Sequence, residues 1–295
     1  MRLLLVVAVL VVVTPGASAA AGKSAPAAPP VVEGTVRSYA DKTPIAYRAE
    51  GQGLPALVFI HGWSGDSSIW KSQVEAFVGQ RRVVTLDLAG HGRSGADRKA
   101  WTVRSFAADV KTVVEELHLR KVVLVGHSMG GAVALEAARI MPERVVAVVG
   151  VDTLQDAERT ISPDQREAFL APLRTDFAQG AAAFVKGMFP PDADPRLVED
   201  IAARAAAAPA GPAIAMLEQL FAYDVAAGFA GVRAPIRCLN SDRYPTNVAG
   251  NRKYAKDFDV VILAGVGHVP QLEKPGEFND ALTKVLAAVA PREGR

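Results

Sequence analysis

Six short aliphatic runs, at 56–60, 83–88, 121–125, 144–151, 235–239 and 260–263, are separated for the most part by stretches with apolar residues at three- and four-residue spacing. Strands alternating with helices build a mostly parallel sheet, because the helix carries the chain back to start the next strand in the same direction. Four of the runs (LVFI, VVLV, VVAVVGV and VVIL) are almost unbroken, as strands covered by helices on both faces require. The helical periodicity predicts helices over 68–78, 103–119, 129–140 and 277–289. Two earlier segments, 35–40 and 45–48, suit an antiparallel pair at the sheet edge. The expected fold class is therefore α/β, with a mostly parallel central sheet flanked by helices.

Between Asp152 and Gly231 the strand signal vanishes and the chain turns Ala-rich and helical, with Phe169, Leu170, Phe177, Phe184, Met188, Leu217, Leu220 and Phe221 spaced through it. This predicts an inserted helical cap at 154–230 on a core formed by 35–153 and 231–295. Most of the large apolar residues of the insert are expected to pack the cap on itself and on the body, and a minority to face a pocket. With 295 residues and 50% hydrophobic content, the chain suits one globular domain carrying such an insert. A net charge of +2 offers no basic stripe for nucleic acid. The single cysteine, Cys238, excludes an intramolecular disulfide, and no Cys/His cluster has zinc-site spacing.

At the N-terminus, Arg2 precedes the apolar run 3–13, then Thr14-Pro15-Gly16 and Ala17-Ser18-Ala19. This succession of charged, apolar and small-residue regions predicts a secretory signal peptide over 1–19 with cleavage after Ala19, and hence a secreted or periplasmic protein. A membrane anchor is the alternative, against which Pro15 and Gly16 interrupt a run too short to span a bilayer. No stable membrane insertion is expected after cleavage. The Ala/Pro-rich stretch 20–34 reads as a lead-in to the folded body.

The chemistry concentrates where the run 121–125 enters Gly126-His127-Ser128-Met129-Gly130-Gly131, followed at once by a helical stretch. A G-x-S-x-G sequence between strand and helix is a nucleophile elbow: a tight turn lifts the Ser128 hydroxyl above the sheet, with glycines where a side chain would clash. Upstream, the run 56–60 ends in His61-Gly62-Trp63-Ser64-Gly65. The main-chain N–H of Trp63, with that of Met129, is positioned to form a two-donor hole for a tetrahedral oxyanion.

A serine nucleophile needs a base and an orienting acid. Of five histidines, His61 and His91 sit in Gly-containing turns, His118 lies near the end of a surface helix, and His127 is held beside Ser128 with its side chain expected to point elsewhere. His268 follows the last strand at the carboxyl edge of a parallel sheet and is the expected base. The acid should fall between Ser128 and His268 in the chain. Asp242, after the run 235–239, is preferred, and Asp152, at the end of the run 144–151, is the alternative. Cys238 lies within a strand and is expected in the core.

Together, His61-Gly62-Trp63, the stretch Asp87-Leu88-Ala89-Gly90-His91-Gly92-Arg93-Ser94, the Gly126 to Gly131 elbow and Gly267-His268 followed by Glu273-Lys274-Pro275 resemble the α/β-hydrolase superfamily over about residues 35 to 290. The resemblance implies no metal and no organic cofactor. It places the Asp87–Ser94 run beside the pocket without a catalytic role. Ser128 stands where the superfamily's haloalkane dehalogenases and epoxide hydrolases use Asp, which speaks against both activities. The expectation is a serine hydrolase acting on a small, partly apolar ester, lactone or thioester. The alternatives are a carbon–carbon bond hydrolase, a cofactor-free haloperoxidase, or a non-catalytic ligand-binding protein on the same fold.

Overall fold

A computed structural model describes residues 31–289. The expected signal peptide and most of the lead-in lie outside the described residues. Among the described residues, eight strands form one sheet: β1 (Val32–Arg37), β2 (Pro44–Glu50), β3 (Ala56–Ile60), β4 (Val83–Leu86), β5 (Val122–His127), β6 (Val145–Val151), β7 (Ile236–Ser241) and β8 (Phe258–Leu263). Their order across the sheet is β1-β2-β4-β3-β5-β6-β7-β8, with β1 and β2 antiparallel to their neighbours and the rest parallel. Strand β1 starts at Val32, inside the stretch 20–34 expected as lead-in.

The helices are α1 (Lys71–Phe77), α2 (Val103–Glu116), α3 (Met129–Ile140), α4 (Pro163–Thr175), α5 (Phe177–Lys186), α6 (Pro195–Ala206), α7 (Ala210–Phe221), α8 (Val225–Ala230), α9 (Val248–Tyr254), α10 (Pro270–Glu273) and α11 (Pro275–Val289). Alternate residues of each central strand feed two separate apolar layers. Val58, Ile60, Leu124 and Val148 pack with Phe106, Val110, Val133 and Phe229. Leu57, Phe59, Val125 and Val149 pack with Phe77, Phe278, Leu282 and Leu286 on the opposite face. This two-sided burial explains why the strands read as unbroken aliphatic runs.

The stretch expected as the cap divides into three parts. Residues 154–157 belong to the body: Leu154 and Ala157 lie in its core, and Asn251 binds both the Leu154 carbonyl and the Ala157 N–H. Helices α4 to α7 form the cap itself, around a buried cluster containing Leu170, Leu173, Ala181, Val185, Phe189, Ala202, Ala205 and Leu217. Helix α8 returns to the body, packing on α3 and α9 with Phe229 fully buried.

Candidate active site

Parallel strands deliver their carboxyl ends to one edge, and the sheet order decides which ends meet. Strand β5 ends at His127, whose register partner on β6 is Val151, so the next residues, Ser128 and Asp152, emerge side by side. Main-chain bonds fix both: Ser128 N–H donates to the Val151 carbonyl at 3.1 Å, and Asp152 N–H donates to the Leu239 carbonyl at 2.9 Å. Ser128 has φ 53° and ψ −120°, a conformation that a residue with a Cβ adopts only under strain, and strain of this kind concentrates at functional turns. The turn is closed by contact: a Cβ on Gly126 would run into the Gly130 carbonyl oxygen, and one on Gly130 would stand 2.5 Å from that of Ile60. Glycine is required at both positions.

His268 joins these two residues. Its Nδ1–H donates to Asp152 Oδ2 at 2.6 Å, and its Nε2 lies 2.9 Å from Ser128 Oγ, placed to accept the hydroxyl proton. The second carboxylate oxygen, Asp152 Oδ1, accepts from the Ser241 N–H and hydroxyl, both at 2.8 Å. Burial pushes the Asp152 carboxyl up, but the bonds from His268 and Ser241 outweigh it and hold the group below the usual carboxylate range. Asp152 is therefore an anion that fixes one tautomer of His268, leaving Nε2 free as the acceptor.

The preferred acid, Asp242, stands elsewhere. It lies at the exposed end of β7, and its carboxylate accepts the Gly265 N–H, both oxygens at 3.2 Å, closing the turn after β8. Strand β7 is two places from β5, and β6 stands between them. Chain order between Ser128 and His268 is satisfied by either aspartate, so the correction to Asp152 comes from strand neighbourhood, which the sequence does not state.

Beside this triad, His61 and His127 hold main chain, and the second of these roles has no signal in the sequence beyond its place. His61 is fully buried; its Nε2 accepts the Leu88 N–H at 2.9 Å and its Nδ1–H donates to the Gly62 carbonyl at 2.8 Å, bracing the loop after β3 against the end of β4. His127 donates from Nε2 to the His268 main-chain carbonyl at 2.7 Å, so the residue before the serine holds the backbone of the histidine. Its Nδ1 is buried without a partner, and burial with the neighbouring His268 pushes its pKa down to about 3, so it is neutral. The only sequence signal for this role is adjacency to Ser128. Cys238 is fully buried, and burial pushes its thiol up, consistent with a core residue.

The loop after β3 lies against the elbow, since a Cβ on Gly62 would stand 3.0 Å from the Ser128 Cβ. Trp63 follows Gly62, and Met129 opens α3, where first-turn N–H groups have no partner within the helix. A small cavity behind this loop, about 50 Å³, is lined by Trp63, His127, Val185, Val269 and Leu272 among others. The cap's aromatic side chains pack on Trp63 and on one another: Phe184 meets Trp63 edge-on at 5.9 Å between ring centroids and Phe169 at 4.8 Å, and Phe221 meets Phe169 at 5.0 Å. Among the described residues no group of three or more His, Cys, Asp and Glu side chains is placed to hold a metal ion, and no helix is long and apolar enough to cross a membrane.

A sheet of this topology carrying an elbow serine, a strand-end aspartate and a loop histidine is the architecture of one family, and the chain belongs to it: residues 57–281 match the model of the alpha/beta hydrolase family. The chain is 40% identical over 125 residues to a non-heme chloroperoxidase of Streptomyces lividans, covering 41% of this chain and 45% of that protein. It is 32% identical over 148 residues to the pimeloyl-[acyl-carrier protein] methyl ester esterase of Aliivibrio fischeri, covering 48% and 55%. Among solved structures, a bacterial membrane phospholipase A superposes with a TM-score of 0.74 at 26% identity, covering 90% of this chain and 87% of that one. The chain spans from about a quarter to about half the length of the curated relatives it matches.

Proposed function

We propose that the protein is an exported serine hydrolase that cleaves a small, partly apolar carboxylic ester, lactone or thioester through an acyl-enzyme on Ser128. The observation that carries this reading is the continuous relay from Asp152 through His268 to Ser128, at 2.6 and 2.9 Å. In it His268 takes the Ser128 proton as Oγ attacks the carbonyl, Asp152 stabilises the imidazolium, and His268 returns the proton to the leaving group. Water, deprotonated by the same histidine, then releases the acid. The N–H groups of Trp63 and Met129 serve the oxyanion, a contribution of about 2.7 to 4 kcal/mol for a single donor. Similarity to an esterase supports the acyl chemistry, and the Arg2-to-Ala19 pattern supports export.

The purified protein should react with a fluorophosphonate probe at Ser128 and turn over p-nitrophenyl esters, fastest at one acyl length. A protein that binds such esters without labelling or turnover would be a binder on the same fold, and the proposal would fall.

A further inference from the structure

The triad is held by two different parts of the molecule. Ser128 and Asp152 sit on strand ends and take their main-chain bonds from the sheet. The two loops that carry the remaining groups, Trp63 and His268, are hydrogen-bonded to the cap. The Trp63 indole Nε1–H donates to the Ala213 carbonyl of α7 at 2.8 Å, and its ring meets Phe177 and Phe184 of α5 edge-on at 6.2 and 5.9 Å. His268 N–H donates to the Met188 carbonyl at 3.2 Å, in the segment joining α5 to α6. That segment lies so close on the histidine loop that a Cβ on Gly267 would stand 2.6 Å from the Met188 carbonyl oxygen. The next residue, Val269, is buried in the cap's own apolar cluster.

We propose that the docked cap positions the catalytic loops, and that the Trp63 side chain is the positioning residue on the oxyanion side, acting through its own main-chain N–H. This rests on the hydrolase reading above. The loop leaves β3 through a glycine and continues into Ser64 at φ 53°; the His61 brace, the packing of Gly62 on the elbow and the Ser67 N–H to Asp87 bond hold its two ends, while Trp63 between them is tied through its side chain. The indole, in edge contact with two phenylalanines and bonded to α7, ties the middle of the loop to the cap. An oxyanion donor is effective only when held at the position that charge will occupy, so a loosened loop lowers transition-state stabilisation more than substrate binding. On the base side, the Met188 carbonyl pins His268 N–H in the same way, so cap displacement disturbs both groups together.

The test is Trp63→Phe, which keeps a ring for Phe177 and Phe184 and removes the indole N–H. With p-nitrophenyl acetate, a substrate too short to reach far into the cap, kcat should fall about tenfold while KM stays within about twofold, the pattern of an interaction made only in the transition state. Affinity for a trifluoromethyl ketone, which forms a tetrahedral adduct, should fall by a similar factor. Gly267→Ala, which forces the cap segment off the histidine loop, should likewise lower kcat with KM preserved, and it is read alone if Trp63→Phe does not fold. Unchanged kcat and inhibitor affinity in the folded variants, with only a lower melting temperature, would overturn the positioning role. Wild-type protein is treated with a fluorophosphonate in parallel. Failure of that reaction overturns the hydrolase reading itself, whereas labelled wild type with indifferent variants overturns only the role of the cap.

Discussion

The Asp152 carboxylate receives the His268 Nδ1–H at 2.6 Å from the end of the strand adjacent to the one that carries Ser128. Its other oxygen is occupied by Ser241, so the acid is fixed by two strands at once and has no freedom to swing away from the histidine.

Asp152→Asn should lower kcat/KM for a p-nitrophenyl ester by a factor on the order of 10⁴ with the fold retained, because the amide neither stabilises the imidazolium nor fixes its tautomer. Asp242→Asn should cost little activity, since Asp242 serves the Gly265 turn. Steady-state kinetics on the two variants check the assignment, and the reverse ranking would return the acid role to Asp242.

Ser128→Ala should remove ester hydrolysis, with a loss in kcat on the order of 10⁶, and should leave circular dichroism and the melting temperature close to wild type. The strained backbone is set by contacts of Gly126 and Gly130, which the substitution does not touch. Substantial residual turnover would mean that Ser128 is not the nucleophile.

Much of this site was legible before the structure because local sequence rules govern it. The Ser128 elbow depends on glycines at fixed offsets, and the loop position of His268 follows from the last strand; strand expectations at 56–60 and 121–125 lie close to β3 and β5 for the same reason. The acid was not legible, because its choice depends on β6 rather than β7 lying beside β5. The ends of the cap are not legible in the sequence because apolar residues look alike: Leu154 and Phe229 are as hydrophobic as the cap's own leucines, yet both pack in the body. Nor does any spacing announce that Arg98 is wholly buried, because its partners Asp41 and Asp109 come from separate segments.

That buried arginine leads to a prediction about stability. The Arg98 and Asp109 side chains are both inaccessible and paired at 2.6 Å, and Asp109 also takes the Ser38 hydroxyl, joining the turn after β1, the loop after β4 and α2. Asp109→Ala should destabilise the fold by about 3 kcal/mol, because it takes the fully buried one of the two carboxylates that pair with a buried guanidinium and leaves Asp41 to hold it alone. Urea denaturation measures this. A loss below about 1 kcal/mol would show that Arg98 finds water or Asp41 alone sufficient.

Acid should destabilise the protein before its carboxylates titrate. Burial, reinforced by neighbouring histidines, pushes His91 and His127 from an ordinary 6.5 down to about 3. Between those values the unfolded chain binds protons that the folded chain refuses, so stability is full above about pH 6.5 and falls as the pH drops toward 3. Each histidine contributes a slope of up to roughly 1.4 kcal/mol per pH unit in that window. Urea midpoints at pH 7.5, 6 and 5 should decline in that order, and a flat profile would show that these rings accept protons in the folded state.

The cap should set acyl preference, because α4 to α7 carry an aromatic row, Phe184, Phe169 and Phe221, that runs from Trp63 beside the elbow into the cap interior. An apolar wall discriminates by only about 1 to 3 kcal/mol per methylene, so the expected result is a graded preference among chain lengths. Phe184→Ala, Met188→Ala and Phe221→Ala should each be profiled by kcat/KM against p-nitrophenyl esters of increasing length, and at least one should shift the optimum, since each removes apolar bulk from the cap. Variants of Lys111 and Glu115, which form an i,i+4 surface pair on α2, should leave the profile as it is. If all three cap variants keep the wild-type optimum and remain folded, their side chains serve only to pack the cap, and chain-length selection belongs to the body beneath it.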